Sequence, residues 1–502
     1  ILMSLAVGPA VARDFQICDK EASIMGYIDQ GISIGTHSDN DFDTKSNFQA
    51  AIFQALMETR LKWSPTLNFF GSVMFNADWA YPILRHSSNE WKDKGFDKSW
   101  HRLFILGHKR DDIIKELHLT WTPENWNIRI GKQIVVWGET DGFRLMDQIN
   151  PLDQRRGMTD VQFETTIIPI WLAKAEYYFR PPIEWIQDLS CEFTFNPNPI
   201  FRGNEVIEPG NDFSGIWAPH AQYEGVPFGG PYPFDYAHVG SLEKNLHKPG
   251  NWNSDGFEYG LRFKSVIQDK VITFNAFYGR DNDYVLRGLP VPPGMETSKW
   301  DGRFILHPYY KGYYPLIRFV GVTFTGDLQN LYLTALGGVA PVLRIESLFA
   351  HNTTFENGMG FERHNEVRTA VGIDWKIWIK KLNPRAAFMI SPQFYHRHIS
   401  DFPEDYKLTI AGGATSFRKD NFMTTLMINT TYFHNKIQPM VFWMRDITWP
   451  SDMIKAQISY EYSDVWKYTV GTLQMYGTKP GRGMEPMRNK DQVYFTIHYR
   501  FN

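Results

Sequence analysis

The densest group of polar residues in the 502-residue chain lies between residues 128 and 156. Arg129, Lys132, Gln133 and Glu139 come first, and further acids, amides and arginines follow as far as Arg156. Inside a water-filled passage, such a cluster would narrow the pore and set the electric field that a passing solute meets. The same side chains could instead form ion pairs and hydrogen bonds that hold a long loop against a wall. The sequence leaves both interpretations open.

Other chemistry has weaker support. Asp39, Asp41 and Asp43 alternate along the chain and could supply three oxygens to a calcium ion. The glycine and final glutamate of an EF-hand loop are missing, so a solvated acidic loop is the simpler explanation. The chain contains no His-Glu-x-x-His pattern, no Ser-His-Asp pattern, no phosphate-binding glycine loop and no Cys-x-x-Cys-His haem site. We therefore expect no enzyme activity and no cofactor except, at most, calcium.

The elements that would position these residues are strands, and the last one is the clearest. Val493, Phe495, Ile497, Tyr499 and Phe501 alternate with polar or amphipathic side chains between them. This period of two is typical of a strand that has an apolar medium on one side and water on the other.

The same alternation recurs along the chain and predicts about eighteen strands, with sixteen as the alternative. We place them near residues 22–34, 49–63, 66–80, 114–121, 126–136, 171–180, 189–195, 256–265, 270–279, 314–325, 329–350, 366–379, 386–396, 422–433, 437–446, 455–462, 466–476 and 491–501. The segment 329–350 is interpreted as one strand with a bulge at its glycines and proline. Short polar turns alternate with long segments, the asymmetry of a bacterial outer-membrane barrel.

Composition agrees with a barrel. Aromatic residues make up 16% of the chain, the net charge is −3, and no apolar run approaches the ~18 residues of a membrane-spanning helix. The sequence therefore predicts an all-β, transmembrane antiparallel β-barrel with long extracellular loops and short periplasmic turns, in the outer membrane of a Gram-negative bacterium. An aromatic girdle is expected on the periplasmic side. Its members would be Trp63, Trp121, Trp126, Phe179, Tyr432 and Tyr462.

The chain divides simply. Residues 1–12 resemble the end of a secretory signal, because an apolar stretch closes on Ala10-Val-Ala12. Residues 13–502 would form a single barrel, with 196–255 as a large outer loop whose prolines, glycines and aromatics suit a plug. Cys18 and Cys191 could form a disulfide or remain two unrelated thiols.

Alternation also predicts which charges face the lumen. Their signs are mixed, so neither an anion filter nor a cation filter emerges. The inward-facing charges are Glu58, Arg60, Lys62, Asp78, Arg129, Glu258, Arg262, Arg344, Glu346, Arg368 and Asp374. Our candidates for pore-lining or loop-constriction residues are Arg60, Asp78, Arg129, Lys132, Gln133, Glu139, Asp147, Asp153, Arg262, Arg344, Glu346 and Arg368. Arg344 and Glu346, two apart on one face, could compensate each other.

Part of the chain resembles a bacterial outer-membrane family known as domain of unknown function 1302 (DUF-1302). The matching positions are Arg129, Gly131, Lys132, Gln133, Trp137, Gly138, Glu139, Asp147, Asn150, Pro151 and Asp153, and the strand from Val342 to Glu346 is also similar. The resemblance implies an outer-membrane barrel, often found beside export or lipid-handling systems. It implies neither a substrate nor an enzyme.

Two functions are the leading hypotheses, and an outer-membrane enzyme is a third. The first is a porin-like channel that passes small or amphipathic solutes without chemistry. The second is a structural sheath for a periplasmic export component or an electron-transfer partner such as a multihaem cytochrome. Either protein would contact the lipid bilayer, lipopolysaccharide and the barrel-assembly machinery, and we expect no nucleic acid partner because the net charge is small.

Overall fold

The computed structural model describes most of the chain. The described residues are 13–17, 19–37, 48–79, 113–140, 144–153, 166–180, 185–205, 246–288, 310–329, 339–356, 361–402, 417–479, 482–487 and 489–501. The proposed signal remnant, Cys18, the Asp39–Asp43 candidate calcium site and the middle of the 196–255 loop lie outside them.

Twenty-three strands occupy the described residues. They are β1 (Arg13–Ile17), β2 (Lys20–Gly35), β3 (Phe48–Ala50), β4 (Ile52–Ser64), β5 (Leu67–Asp78), β6 (Ile114–Trp121), β7 (Trp126–Gln133), β8 (Ile170–Phe179), β9 (Ile186–Asn196), β10 (Leu246–His247), β11 (Glu258–Ile267), β12 (Lys270–Arg280), β13 (Val285–Gly288), β14 (Tyr310–Tyr313), β15 (Leu316–Asp327), β16 (Val342–Glu356), β17 (Phe361–Ile377), β18 (Phe388–Ile399), β19 (Asp420–Asn429), β20 (Ile437–Asp446), β21 (Ser451–Glu461), β22 (Trp466–Gly477) and β23 (Gln492–Phe501).

Eighteen of these strands form one closed antiparallel barrel. Each pairs with the next along the chain, and β2 pairs with β23, which closes the sheet with Gly26 opposite Phe501. The other five are short: β1 pairs with β2, β3 lies just before β4 and also pairs with β2, and β10, β13 and β14 make a small separate sheet. The predicted all-β barrel and its count of eighteen strands are confirmed.

The expected alternation holds through the wall. In β23, Val493 and Phe495 are exposed on the outer surface, whereas Gln492, Tyr494 and His498 are buried on the inner side. The other strands repeat the pattern, so the outer surface carries a broad band of apolar side chains. Such a surface requires an apolar medium around it, while the polar inner residues require water or hydrogen-bonding partners.

The two ends of the barrel differ. Short connections such as 65–66, 122–125 and 268–269 lie at one end, which we call the short-turn end; most connections at the other, the long-loop end, are much longer. The predicted girdle residues Trp63, Trp121 and Trp126 are exposed at the short-turn end, as are Phe179 and Tyr462. The asymmetry has exceptions: at the long-loop end β20 and β21 are joined by residues 447–450 alone and β16 and β17 by 357–360, and at the short-turn end the longer connection 328–341 joins β15 to β16.

One predicted strand was misplaced. The segment 329–350 does form a single barrel strand in the count, but that strand is β16, Val342–Glu356, and it begins directly after Pro341. Proline lacks an N–H and therefore cannot donate to the ladder, which places it before the strand. The register shift of β16 lies between Ala350 and Thr353, far from the expected glycine bulge at 337–338, which falls outside the described residues.

Among the described residues, no helix has the length and apolar character needed to span a membrane. Cys191 is a free thiol on β9, on the outward face that it shares with Phe193.

Candidate functional site

After β7 the chain turns into the barrel. We call residues 134–153 the inner segment; all but 141–143 are described. Trp137, Leu145 and Met146 are almost fully buried, with at most 2% of their surface exposed. They pack against inward-facing apolar residues of the wall, namely Ile170, Leu172, Phe277, Ile317, Phe319, Leu348, Ala350 and Ala370. An apolar core therefore lies within the lumen, between the inner segment and strands β8 to β17.

The turn into the lumen begins at Gly131. Its φ of +136° is accessible to glycine and strained for other residues, and a Cβ there would stand 2.2 Å from the Leu117 carbonyl oxygen. The next two side chains hold the end of β7. Lys132 Nζ donates to the Ile114 carbonyl at 2.8 Å, and Gln133 Nε2 donates to the Leu172 carbonyl at 3.0 Å. These contacts explain why Lys132 and Gln133, both predicted to line the pore, are buried in its wall.

Asp147 and Asn150 fold the inner segment on itself. Asp147 Oδ1 accepts hydrogen bonds from the Trp137 and Gly138 amides at 2.6 and 2.8 Å. Asn150 Oδ1 accepts from the Val135 amide at 2.8 Å, and its Nδ2 donates to the Gln133 and Ile168 carbonyls at 3.1 Å each. Backbone groups that have left the sheet are thus satisfied inside the barrel, as buried amides must be.

Glu346 on β16 holds the tip of the inner segment from the opposite wall. Its Oε1 accepts hydrogen bonds from the Glu139 and Thr140 amides at 2.6 Å each and from Thr140 Oγ1 at 2.8 Å. Its Oε2 accepts from the Met146 amide at 3.3 Å. The carboxylate is fully buried, so four donors replace the water it would otherwise bind.

Two arginines flank this contact. Arg344 Nη1 donates to the Glu139 carbonyl at 2.6 Å, and the same guanidinium pairs with Asp374 on β17. Arg262 on β11 donates to the Val136 carbonyl at 3.2 Å and lies 3.4 Å from Glu139 Oε1. Arg344 and Glu346 thus each bind the inner segment, a role that the expected mutual pair did not include.

Trp137 anchors the segment on a third side. Its indole Nε1 donates to Glu192 Oε1 on β9 at 2.7 Å, and Lys174 Nζ lies 3.0 Å from the other oxygen of that carboxylate. A Cβ on Gly260 would stand 2.6 Å from the Trp137 ring, so the indole packs directly on the β11 backbone.

At the long-loop end, the inner segment joins two other loops. Asn204 Oδ1 accepts from the Leu152 amide at 2.7 Å, and Asn204 Nδ2 donates to Asp283 at 2.8 Å. Asn282 Nδ2 donates to the Gln148 carbonyl at 2.6 Å. Burial and the nearby Asp283 charge raise the pKa of Asp281 in this junction to about 7. Burial also lowers the pKa of Arg144 within the inner segment.

The remaining candidates lie apart from this network. Arg60 projects into the lumen from β4 with its guanidinium 5.6 Å from the Phe70 ring, and Arg129 projects inward from β7. Asp78 is fully buried and accepts from the Ala51 amide at 2.9 Å. Arg368 binds Glu366, which also binds Arg397. Asp153 is linked through its backbone, where its amide donates to the Thr166 carbonyl at 2.7 Å.

The sequence did not indicate several residues that bind the inner segment or its neighbouring loops. Glu192, Asn204 and Asn282 lie in three different connections or strands, and nothing in their local sequence distinguishes them from ordinary polar residues. The apolar inward residues were also missed, because alternation predicts a polar lumen. A detectable signal was present in β15, where Ile317 and Phe319 occupy inward positions.

The chain belongs to the family described as protein of unknown function (DUF1302), whose model matches residues 19–501. Apart from Arg129, the residues that carried the resemblance build the inner segment or its contacts with the wall. A comparison with curated proteins found no match.

Several solved structures are similar over nearly the whole chain at very low identity. OccAB3 of Acinetobacter baumannii is 8% identical with a TM-score of 0.46, covering 96% of this chain and 99% of the other. OmpF of Salmonella typhi, solved in complex with daunomycin, is 10% identical with a TM-score of 0.38, covering 96% and 98%. OmpT of Vibrio cholerae, folded in vitro, is 6% identical with a TM-score of 0.39, covering 98% and 100%.

Proposed function

We propose that this protein is a porin-like channel in the outer membrane of a Gram-negative bacterium, and that its inner segment forms the constriction. The observation that carries the proposal is the position of the inner segment, whose described residues lie inside the barrel and are held by Glu346, Arg344, Arg262 and Glu192 of the wall. A solute crossing the barrel would have to pass this segment.

The location is supported by the surface. The outer apolar band and the exposed aromatic residues at the short-turn end match what a bilayer requires of a barrel. We orient the short-turn end toward the periplasm and the long-loop end toward the exterior, because bacterial barrels distribute short and long connections in that way.

The solute class follows from the lining. The inner segment exposes the apolar side chain of Val136, while Trp137, Leu145 and Met146 are buried against the wall. The charges around the segment are paired, Arg262 with Glu139 and Arg344 with Asp374. The charges of an ion pair largely cancel each other at a distance, so selection by solute charge should be weak. Small or amphipathic solutes fit this lining, and no chemistry is required of the protein.

The sheath is the less favoured function. A barrel that surrounds a partner needs a free interior, whereas here the protein's own segment occupies part of the lumen. At least seven hydrogen bonds hold it to the wall, four of them to Glu346. A partner would have to displace it. Binding to an export component or a cytochrome at the short-turn end is compatible with either function.

Single-channel recording in planar bilayers tests the proposal. Wild-type protein should give steady conductance steps. Glu346→Gln places an amide NH₂ near the Met146 amide and removes the charge that holds the tip, a loss of about 1.5–3 kcal/mol for hydrogen bonds to a charged group. Larger or more frequently fluctuating steps are expected for this variant.

Glu176→Gln is the matched control, because Glu176 also faces the lumen but binds Ser190 and Tyr178 and does not touch the inner segment. Its conductance should equal that of the wild type. Folded protein that never conducts, in either the wild type or Glu346→Gln, would refute the channel and favour the sheath. Equal conductance in all three proteins would refute the constriction.

A further inference from the structure

A compact cluster of metal-binding side chains lies on the outer surface of the barrel, away from the lumen. His396 and His398 are two residues apart on β18, so both point to the same, outward face. Asp420 is the first residue of β19 and stands directly opposite His398 in the antiparallel register. Strand periodicity and register therefore bring three residues that are distant in sequence to one place at the long-loop end.

The donor atoms converge. His396 Nε2 lies 2.9 Å from Asp420 Oδ1, and His398 Nδ1 lies 2.8 Å from the same oxygen. All three donor atoms lie within 4.8 Å of one another. A tetrahedral zinc site with ligand distances of 2.0–2.1 Å places its donors roughly 3.3 Å apart. Small side-chain rotations would bring the observed separations to that value.

The neighbouring residues keep the ligands in position and accessible. The His396 ring stacks on Phe422 with 4.7 Å between the centroids and 10° between the planes. Between 33% and 41% of each of the three side chains is exposed, so an ion can approach from outside. The adjacent Arg397 points to the inner side of the wall, where it binds Glu366, and its charge is therefore separated from the cluster by the sheet.

We propose that His396, His398 and Asp420 form a binding site for a divalent transition metal ion of the zinc class, with water in the fourth position. Two imidazoles and one carboxylate suit zinc, copper or nickel, whereas calcium and magnesium prefer oxygen ligands alone. A bound ion would connect β18 to β19 at the rim of the barrel. The site is separate from the inner segment and does not depend on the channel function.

Metal titration of the untagged, folded protein in detergent tests the site. Co²⁺ serves as the spectroscopic probe, since tetrahedral coordination gives a characteristic visible absorption, and Zn²⁺ is then added as the competitor. We expect one high-affinity ion per chain, with nitrogen and oxygen ligands in the X-ray absorption spectrum of the zinc form. Changes in the outer shell alone cost metal sites about 10-fold to 100-fold in affinity, so losing a ligand should cost more than about tenfold.

The variants are His396→Gln, His398→Gln and Asp420→Asn, all on an exposed surface where folding should be unaffected. The matched control is His351→Gln, because His351 is an exposed histidine on β16 whose ring bonds the Asn352 amide. The control should bind as the wild type does. A wild-type protein that takes up no stoichiometric metal, or a His396→Gln/His398→Gln double variant that binds it unchanged, would overturn the proposal in favour of a simple hydrogen-bonded cluster.

Discussion

Two carboxylates, those of Glu346 and Asp147, hold the inner segment in its conformation by accepting its backbone amides. Glu346 and Asp147 both accept backbone amides of the segment, and Glu346 does so while fully buried. A carboxylate that accepts several amides positions a loop without needing a cation, because each charge-assisted bond is stronger than a neutral one. The carboxylates thus bind the amides of the segment, and Arg262 and Arg344 bind its carbonyl oxygens.

The junction of the loops should respond to pH. The pKa of Asp281 is raised to about 7 by burial and by Asp283, from 3.8, so the folded junction keeps a proton that the unfolded chain releases. The stability contributed by the protonated form is complete below pH ~4 and is lost as the pH rises through 7. Hydrogen exchange of the amides of residues 281–284, corrected for intrinsic rates, should therefore accelerate between pH 5 and pH 8.

Asp281→Asn provides the decisive comparison, because asparagine stays neutral and still accepts the Asp283 amide. Its exchange should not depend on pH in this range. Asp269→Asn, in the exposed turn between β11 and β12, should keep the wild-type dependence. If the exchange rates of Asp281→Asn depended on pH as those of the wild type do, a group other than Asp281 would be responsible.

At the level of single residues, the sequence was informative only where a motif was local. Arg129 to Asp153 could be identified as one group because the residues follow one another. Arg344 and Glu346 were found as inward residues, but their partner could not be known, since Glu139 lies more than 200 positions away. Glu192 and Asn204 gave no local signal. Long-range partners depend on closure of the barrel, which alternation alone does not specify.

The packing of the inner segment on the wall depends on two glycines, because any larger residue there would occupy the space that the segment fills. Gly260 of β11 lies against Trp137, and Gly321 of β15 lies against Met146. In Gly260→Ala, the added Cβ would stand 2.6 Å from the Trp137 ring and 2.3 Å from Thr194 Oγ1. Overpacking of this kind costs about 1–3 kcal/mol. The substitution should raise hydrogen exchange within residues 134–140 and leave the barrel ladders protected.

Gly71→Ala is the control for this substitution. A Cβ at Gly71 meets only Leu117 Cδ1, at 3.6 Å, which is an ordinary contact. Exchange in the inner segment should be that of the wild type in this variant. Faster exchange in both variants would indicate a general loss of barrel stability instead of displaced packing of Trp137.

The strands themselves were largely predictable. Period-two alternation and turn residues located seventeen of the eighteen barrel strands and part of β16, because the outward face of each strand is mostly apolar. The boundary of β16 was wrong where Pro341 and the preceding glycines interrupted the pattern. The inner segment was expected as a loop near the lumen. Its packed apolar core was not expected, because a sequence segment without periodicity does not indicate which wall residues it contacts.

For the molecule as a whole, the ladder between β2 and β23 is the seam that closes the barrel. Asp29 and His498 face each other there, both buried, and their side chains are hydrogen-bonded across the seam. Removing one partner breaks a buried hydrogen bond to a charged group, at a cost of about 1.5–3 kcal/mol. His498→Ala should therefore lower the urea midpoint of unfolding by a corresponding amount, measured by the shift between folded and unfolded mobility on a gel.

A double-mutant cycle with Asp29→Ala separates the pair from its surroundings. Coupling of about 0.5–3 kcal/mol is expected for residues in contact. Ser347 and Thr369, whose hydroxyls lie 3.0 Å apart across β16 and β17, provide a reference pair far from the seam. Additive effects of Asp29→Ala and His498→Ala would contradict a direct interaction across the seam.

The pairing of Gly26 with Phe501 makes the order of strands cyclic. The first and last barrel strands are neighbours like any others, so no mechanical difference separates the seam from the rest of the wall. Surface connections tolerate a change of chain ends when their backbone makes few buried contacts. A circular permutant that joins the ends near β2 and β23 and opens the exposed turn at His434 and Asn435, between β19 and β20, would keep every ladder of the barrel wall. The wall is therefore a cyclic series of strands, and the position of the chain ends within that series is not fixed by the ladders.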